Sequence, residues 1–383
     1  MRESASGRRG AWLSGALVTV AIAIATASWM DRPVPPAPVR TAFTTSTSEE
    51  PHRLWLPWAG RNGHPAVLQP VGHFSNDLGP IQALAVNESA GLVYAGQGSR
   101  MVVIDVSRPA SPRELLRTDR RGAVIEDLRL ARLALYVAAG TDGMWIYDVS
   151  RPAGPSFVAT YADTIHRVAA NDELAFAVAG KAGDTSDSRI LAFDVQHIDR
   201  PRLLDTLGSR GICHFTDVDL AGPRAFVSAD VCDLFALEVR EVGALMVIQG
   251  AFSDQADASH LRVRDGVVFE VVEGATVQLR DADHLEAEGL GRVDRFVFAD
   301  GETWYTDVTR DLATQAGRLL MVGRFDCQPV PDDEGLWVVD VSDPHRPVLL
   351  AAAESAAPAA VAGTQAHIYV AGADGLLIYP AVP

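Results

Sequence analysis

Along most of the chain the apolar residues fall in short, nearly continuous runs punctuated by Gly, Asp, Ser and Pro. Gly91-Leu-Val-Tyr-Ala-Gly96 is followed by Met101-Val-Val-Ile-Asp-Val-Ser-Arg-Pro109. Ala134-Leu-Tyr-Val-Ala-Ala-Gly140 is followed by Met144-Trp-Ile-Tyr-Asp-Val-Ser-Arg-Pro152. Further copies pair 175–180 with 190–195, 225–229 with 234–239, 267–271 with 276–279, 319–323 with 336–344, and 367–372 with 376–379. None shows the 3.6-residue period of an amphipathic helix, so each copy reads as short strands. Because the runs do not alternate strictly between apolar and polar, the sheets they form must be covered on both faces.

The mid-strand residues Tyr94, Tyr136, Phe176, Phe226, Phe269, Leu320 and Tyr369 are spaced by 42, 40, 50, 43, 51 and 49 residues. That period fits a four-stranded propeller blade and is too long for ankyrin or tetratricopeptide units. The fold expected is all-β: a seven-bladed β-propeller over residues 65–383, its blades stacked face to face around an axis. The last copy ends after three strands, and Ala66–Phe74 upstream of the first copy reads as its missing outer strand, closing the ring. Asp-Gly pairs at 142–143 and 374–375 suit tight hairpins that need positive φ. In Asp-Val-Ser-x-Pro the carboxylate and hydroxyl can bond the turn, and the proline ends the ladder.

These blades, with Tyr-Val-Ala-x-Gly followed by Gly-Leu-x-Ile-x-Asp-Val-Ser-x-Pro-x-x-Pro, resemble the LVIVD-repeat family of bacterial and archaeal extracytoplasmic proteins. The resemblance covers about residues 65–383 and is strongest in copies one, two, six and seven. Copies four and five lack the Asp-Val-Ser-x-Pro turn. Membership in that family implies a propeller and no uniform activity.

The N-terminus is different in kind. Arg2, Arg8 and Arg9 precede an uncharged stretch from Ala11 to Met30, with an Ala-Thr-Ala site at 25–27. Residues 1–30 therefore read either as a cleaved signal peptide or as a retained membrane anchor, and both place the remainder outside the cytoplasm. Residues 31–64 read as a Pro/Thr/Ser-rich linker. The whole chain carries −16. Residues 1–40 hold five arginines against Glu3 and Asp31, so the rest carries −19. So acidic a body repels phosphate backbones, which excludes nucleic acid as a partner. Contact with a membrane is expected only through an uncleaved N-terminal segment, and the propeller itself is expected to be monomeric.

In a propeller the loops entering each inner strand share one face, here called the upper face, with those joining the second and third strands. Inner-strand entries put Asp127, Arg167, Asp217, His260 and Asp311 at one aligned position of five successive blades, with His166 and His214 close by. Two readings follow. The residues can form a ligand site at the channel mouth, with His166, His214 and His260 as candidate ligands for a divalent metal. Alternatively the aspartates bond the backbone of the neighbouring blade, and the histidines line a wet channel. No His-x-His or His-Glu-x-x-His spacing supports the first, and no cofactor is otherwise expected. Cys213 and Cys232 bracket the hairpin of copy four and come nearly opposite each other, which predicts a disulfide. Cys327 lies in the long loop Gly323–Gly335 and is left over, and the acidic loops 181–189 and 323–335 lack a calcium-binding pattern. No nucleophile elbow, P-loop or dinucleotide fingerprint is present. The function expected is a non-enzymatic, extracytoplasmic binding scaffold for an unidentified protein or envelope ligand. The rivals are a propeller hydrolase or metal-dependent lyase using the His/Asp ring, and a structural envelope protein.

Overall fold

Each strand run pairs with its sequence neighbours because hairpins are the shortest connections available to it. The result, in the computed structural model, is seven sheets, each built on an antiparallel set of four strands that are consecutive in sequence in every blade but the last. It describes residues 53–55, 66–230, 232–241, 244–251, 258–272, 276–285, 289–294, 308–325 and 333–383. Blade 1 is Ala83–Asn87, Leu92–Gln97, Arg100–Asp105 and Arg113–Arg117. Blades 2, 3 and 4 begin at Asp127–Ala131, Ile165–Ala170 and His214–Ala221. Blades 5, 6 and 7 begin at Ala258–Arg264, Val308–Gln315 and Pro358–Gly363. Every first strand contacts the first strands of both adjacent blades, and that of blade 7 contacts that of blade 1, so the ring is closed. All of these strands belong to one unit, Glu50–Pro383. The expected seven-bladed all-β propeller is what the chain forms. Blades 4 and 5, degenerate in sequence, keep their four strands.

The uninterrupted apolar runs find their explanation between the blades. Leu92 and Tyr94 pack into the layer shared with blade 2, whereas Val93 and Ala95 pack into the layer shared with blade 7. Alternate residues of one strand thus enter two different cores, and both faces of the sheet are dry. A further layer fills each of the other interfaces, from blades 2 and 3 round to blades 6 and 7.

Closure differs in one respect from the expectation that Ala66–Phe74 forms a single outer strand. Gly72–Phe74 does complete blade 7, pairing antiparallel with Leu376–Ile378. Ala66–Val67 instead adds a fifth, parallel strand to blade 6. Pro70 is the break, since it has no N–H to donate; Leu68 N bonds Ala352 O before it, and Val71 N bonds Ile378 O after it. Arg53–Trp55, which the sequence places in the linker, pairs in parallel with Arg292–Asp294 of blade 5. The chain before blade 1 therefore contributes edge strands to three successive blades. The remaining N-terminal residues, with the signal or anchor reading, lie outside the described residues. Among the described residues no helix is long and apolar enough to cross a membrane.

The turns follow their residues closely. Asp105 Oδ1 accepts from the Ser107 amide at 3.0 Å and the Ser107 hydroxyl at 2.6 Å. These bonds, with that from Arg113, hold the half-buried Asp105 carboxyl down at about 2. Asp148 and Asp340 accept in the same way from the amides of Ser150 and Ser342. In the two Asp-Gly hairpins the positive φ falls on the glycine alone, +87° at Gly143 and +90° at Gly375. Each also lies against a carbonyl of its outer strand: a Cβ at Gly143 would stand 2.0 Å from Tyr161 O, and one at Gly375 2.2 Å from Phe74 O.

Candidate functional site

The first strands of blades 3 to 7 share one irregularity. In each, an extra residue is inserted near the upper end: His166, Thr216, Ser259, Arg310 and Ala359. A bulge re-aims the side chain that follows it. Those following residues are Arg167, Asp217, His260, Asp311 and Ala360, so the position aligned from sequence is a structural one.

The aspartates there do one job. Asp127 Oδ1 accepts from its own following amide, Leu128 N, at 2.9 Å, and Oδ2 from Val168 N of blade 3 at 3.1 Å. Asp217 repeats this with Val218 N at 2.8 Å and Leu261 N of blade 5 at 3.2 Å. Asp311 repeats it with Leu312 N and Val361 N of blade 7, both at 2.9 Å. Blades 2, 4 and 6 each clasp the inner strand of the next blade through a carboxylate. The amides they bind lie on the channel edge of the first strand, where no further strand can pair with them.

Two arginines neutralise the carboxylates: Arg129, two residues beyond Asp127 on its strand, and Arg262, on the first strand of blade 5 between Asp217 and Asp311. Arg129 Nη1 donates to Asp127 Oδ1 at 2.9 Å. Arg262 donates from Nη1 to Asp217 Oδ2 at 3.0 Å and from Nη2 to Asp311 Oδ1 at 2.6 Å, so one guanidinium spans blades 4, 5 and 6. Burial alone would push the Asp217 carboxyl up, but Arg262, His260 and Arg167 outweigh it and hold it far below the usual carboxylate range. At Asp127 burial wins, and its carboxyl is pushed up. Sequence reasoning missed Arg129 and Arg262. The signal was the two-residue period of a strand: Asp-Leu-Arg at 127–129 and His-Leu-Arg at 260–262 place both residues on the channel side.

The upper mouth narrows to a cavity of about 50 Å³. Its lining brings together Asp127, Arg167, His260 and Asp311 with Glu126, Arg129, Arg262 and Arg310. Arg310 is tied to Glu334 at 3.1 Å and to Pro358 O. Arg167 donates to the carbonyl of His166 at 3.1 Å.

The candidate metal ligands do not converge. His166 places Nδ1 2.7 Å from Glu126 Oε2 and Nε2 2.8 Å from Gly180 O. His214 Nε2 accepts from Gly183 N at 3.3 Å. His260 Nδ1 lies 3.8 Å from Asp217 Oδ2. Among the described residues no group of three or more His, Cys, Asp and Glu side chains is placed to hold a metal ion. In the loop 181–189, Asp184 folds onto Ser186, and Asp187 pairs with Arg189, which also reaches Asp163 at 2.8 Å. Cys327 and its loop neighbours lie outside the described residues.

Both partners of His166 only accept hydrogen bonds, so the ring satisfies both only as the imidazolium. The Glu126 carboxylate accordingly raises its pKa above the ordinary value, with burial and Arg167 opposing. A raised folded-state value gives stability that is complete below the unfolded pKa and is lost as pH rises through the folded one. The melting-temperature advantage of the wild type over His166→Gln is therefore expected to shrink as pH rises from about 6.5, the ordinary histidine value, into the alkaline range. A difference that grows over that range contradicts the ion-paired ring.

The disulfide joins Cys213, just before the first strand of blade 4, to Cys232 in the turn after its second strand, with Cα atoms 5.8 Å apart. It is packed into the layer between blades 3 and 4.

The model of the LVIVD repeat matches residues 84–119, 135–163 and 330–352, within blades 1, 2 and 6. No curated protein matches the sequence. Among solved structures, the computationally designed protein Ika8 aligns with a TM-score of 0.56 at 12% identity, covering 82% of this chain and all of that one. A chain of the mitotic checkpoint complex aligns at 0.58 and 11%, covering 92% of this chain and all of its own. The β-propeller domain of Cps50 (Swd1) from Myceliophteria thermophila aligns at 0.58 and 9%, covering 82% of this chain and all of its own. At such identities the likeness is one of fold.

Proposed function

Because this chain carries LVIVD repeats folded as a seven-bladed β-propeller, we propose that it is a non-enzymatic, extracytoplasmic binding scaffold presenting its upper face and channel mouth. One observation carries the reading: the charged residues at the mouth are engaged with the blades themselves. Asp127, Asp217 and Asp311 are bonded to backbone amides and arginines, which supports a rigid platform over acid–base work by these three carboxylates. Rigid presentation lowers the entropic cost of binding. The ligand then contacts the loops around the mouth, chiefly 118–126, 181–188 and 209–213. The bond between Cys213 and Cys232 supports an oxidising compartment, as does the arginine-led apolar stretch at the N-terminus. A retained stretch tethers the propeller to a membrane; a cleaved one releases it.

The test is site-specific photocrosslinking in the native host. Crosslinkers at Arg120, Lys181 and Ile212 sample the upper face, and crosslinkers at Ser107 and Arg151 the opposite one. Discrete adducts from the first set alone are expected. Adducts confined to the second set contradict the reading.

A further inference from the structure

The repeats provide their own internal comparison, and one interface departs from it. Between blades 1 and 2, Tyr94 donates its hydroxyl to Pro152 O at 3.0 Å. Tyr147 and Ala90, the latter on the helical turn Glu88–Ala90, pack into the same layer. Between blades 5 and 6 the corresponding residues are Phe269, Pro344 and Val339, because Phe269 holds the mid-strand position of Tyr94 and the Asp-Val-Ser-x-Pro turns of blades 2 and 6 align Pro152 with Pro344 and Tyr147 with Val339. Phe269 has no hydroxyl, Val339 is far smaller than tyrosine, and the tight turn Arg264-Asp265-Gly266 replaces the helical one. A cleft of about 330 Å³ opens there, on the face opposite the channel mouth, walled by Val267, Phe269, Val341 and Pro344.

Beside these apolar residues the wall carries Thr314, Ser342 and the guanidinium-bearing Arg318. Arg318 lines the cleft, donates from Nη1 to Ala316 O at 3.0 Å and stands opposite Asp340 in the strand pair; its Nε is buried, so the outer guanidinium nitrogens are the ones that meet a ligand. A carboxylate is the acceptor that best fits a guanidinium. At the rim, Arg264 and Asp265 lie 3.6 Å apart, both exposed, so they neutralise each other. The volume lies in the range of small-molecule sites.

We propose that the cleft between blades 5 and 6 binds a small carboxylic acid with a flat apolar body, the body against Phe269 and Val341 and the carboxylate on Arg318. The site is separate from the upper face and does not depend on the scaffold reading.

The probe is 1-naphthoate, followed by ligand-detected NMR and calorimetry on the intact protein, with 1-naphthalenemethanol as the uncharged comparison. The acid is expected to bind with a Kd below about 1 mM and at least about tenfold tighter than the alcohol. Arg318→Gln is expected to remove that preference while leaving the alcohol's binding unchanged. Thr314→Trp, which fills the cleft from a half-buried lining position, is expected to abolish binding of both. Circular dichroism melts check that each variant is folded, and Phe269→Tyr, which restores the blade 1 arrangement, serves as a second blocking variant. Failure of the wild type to bind the acid, equal binding of acid and alcohol, or undiminished binding by both folded blocking variants overturns the proposal.

Discussion

Replacing Asp217 with alanine is expected to cost roughly 3–5 kcal/mol of stability, the range for breaking a buried ion pair by removing one partner. Asp217 is fully buried. Its removal strands the amides of Val218 and Leu261 and takes one of two carboxylates from Arg262, whose guanidinium is itself largely buried. Asp217→Asn keeps the shape but not the charge and is expected to fall between wild type and alanine. Urea melts followed by tryptophan fluorescence check the order. A loss below about 1 kcal/mol for alanine, the level of an exposed pair, contradicts the role given to this carboxylate.

Removing the disulfide is the second large effect. Replacing Cys213 and Cys232 together by alanine is expected to destabilise the protein by about 3 kcal/mol, as for a closed loop of this size. Their separation in sequence is 19 residues. The bond fastens the entry of blade 4 to its own hairpin, in a blade whose third strand ends without Asp-Val-Ser-x-Pro. The same loss is expected when reductant is added to the wild type, and no further loss when it is added to the double variant. Melts with and without dithiothreitol measure both. Alkylation of both thiols in the native protein without reductant contradicts the bond.

Much of the fold could be read from the sequence because a propeller blade is a local structure. Each strand pairs with the next in the chain, so a repeat of strand and turn signals fixes the sheet without any long-range information. Continuous apolar runs such as Leu135–Ala139 indicate two dry faces, and the residues divide between the layers on either side. What the sequence left open is non-local. Nothing in Arg53–Trp55 or Ala66–Val67 announces a parallel partner hundreds of residues away, although Pro70 marks where one strand must give way to another.

The candidate site divides in the same way. The aligned position of Asp127, Arg167, Asp217, His260 and Asp311 was visible, because a repeat puts equivalent residues at equivalent heights in the channel. Which reading of the aspartates holds was not visible. That depends on how close the next blade's inner strand comes, and adjacent first strands approach closely enough for a short carboxylate to reach an amide across the gap. The histidines diverge for a related reason: His166 occupies a bulge and is bonded to Glu126 and Gly180.

The central claim is that carboxylates of blades 2, 4 and 6 hold the channel-edge amides of blades 3, 5 and 7. Residue-resolved hydrogen exchange tests it most directly. In the wild type the amides of Val168, Leu261 and Val361 are expected to exchange as slowly as core strand amides, and Asp217→Asn is expected to accelerate Leu261 while Val168 and Val361 stay protected. Rapid exchange at all three amides in the wild type, or a Leu261 amide indifferent to the substitution, contradicts it.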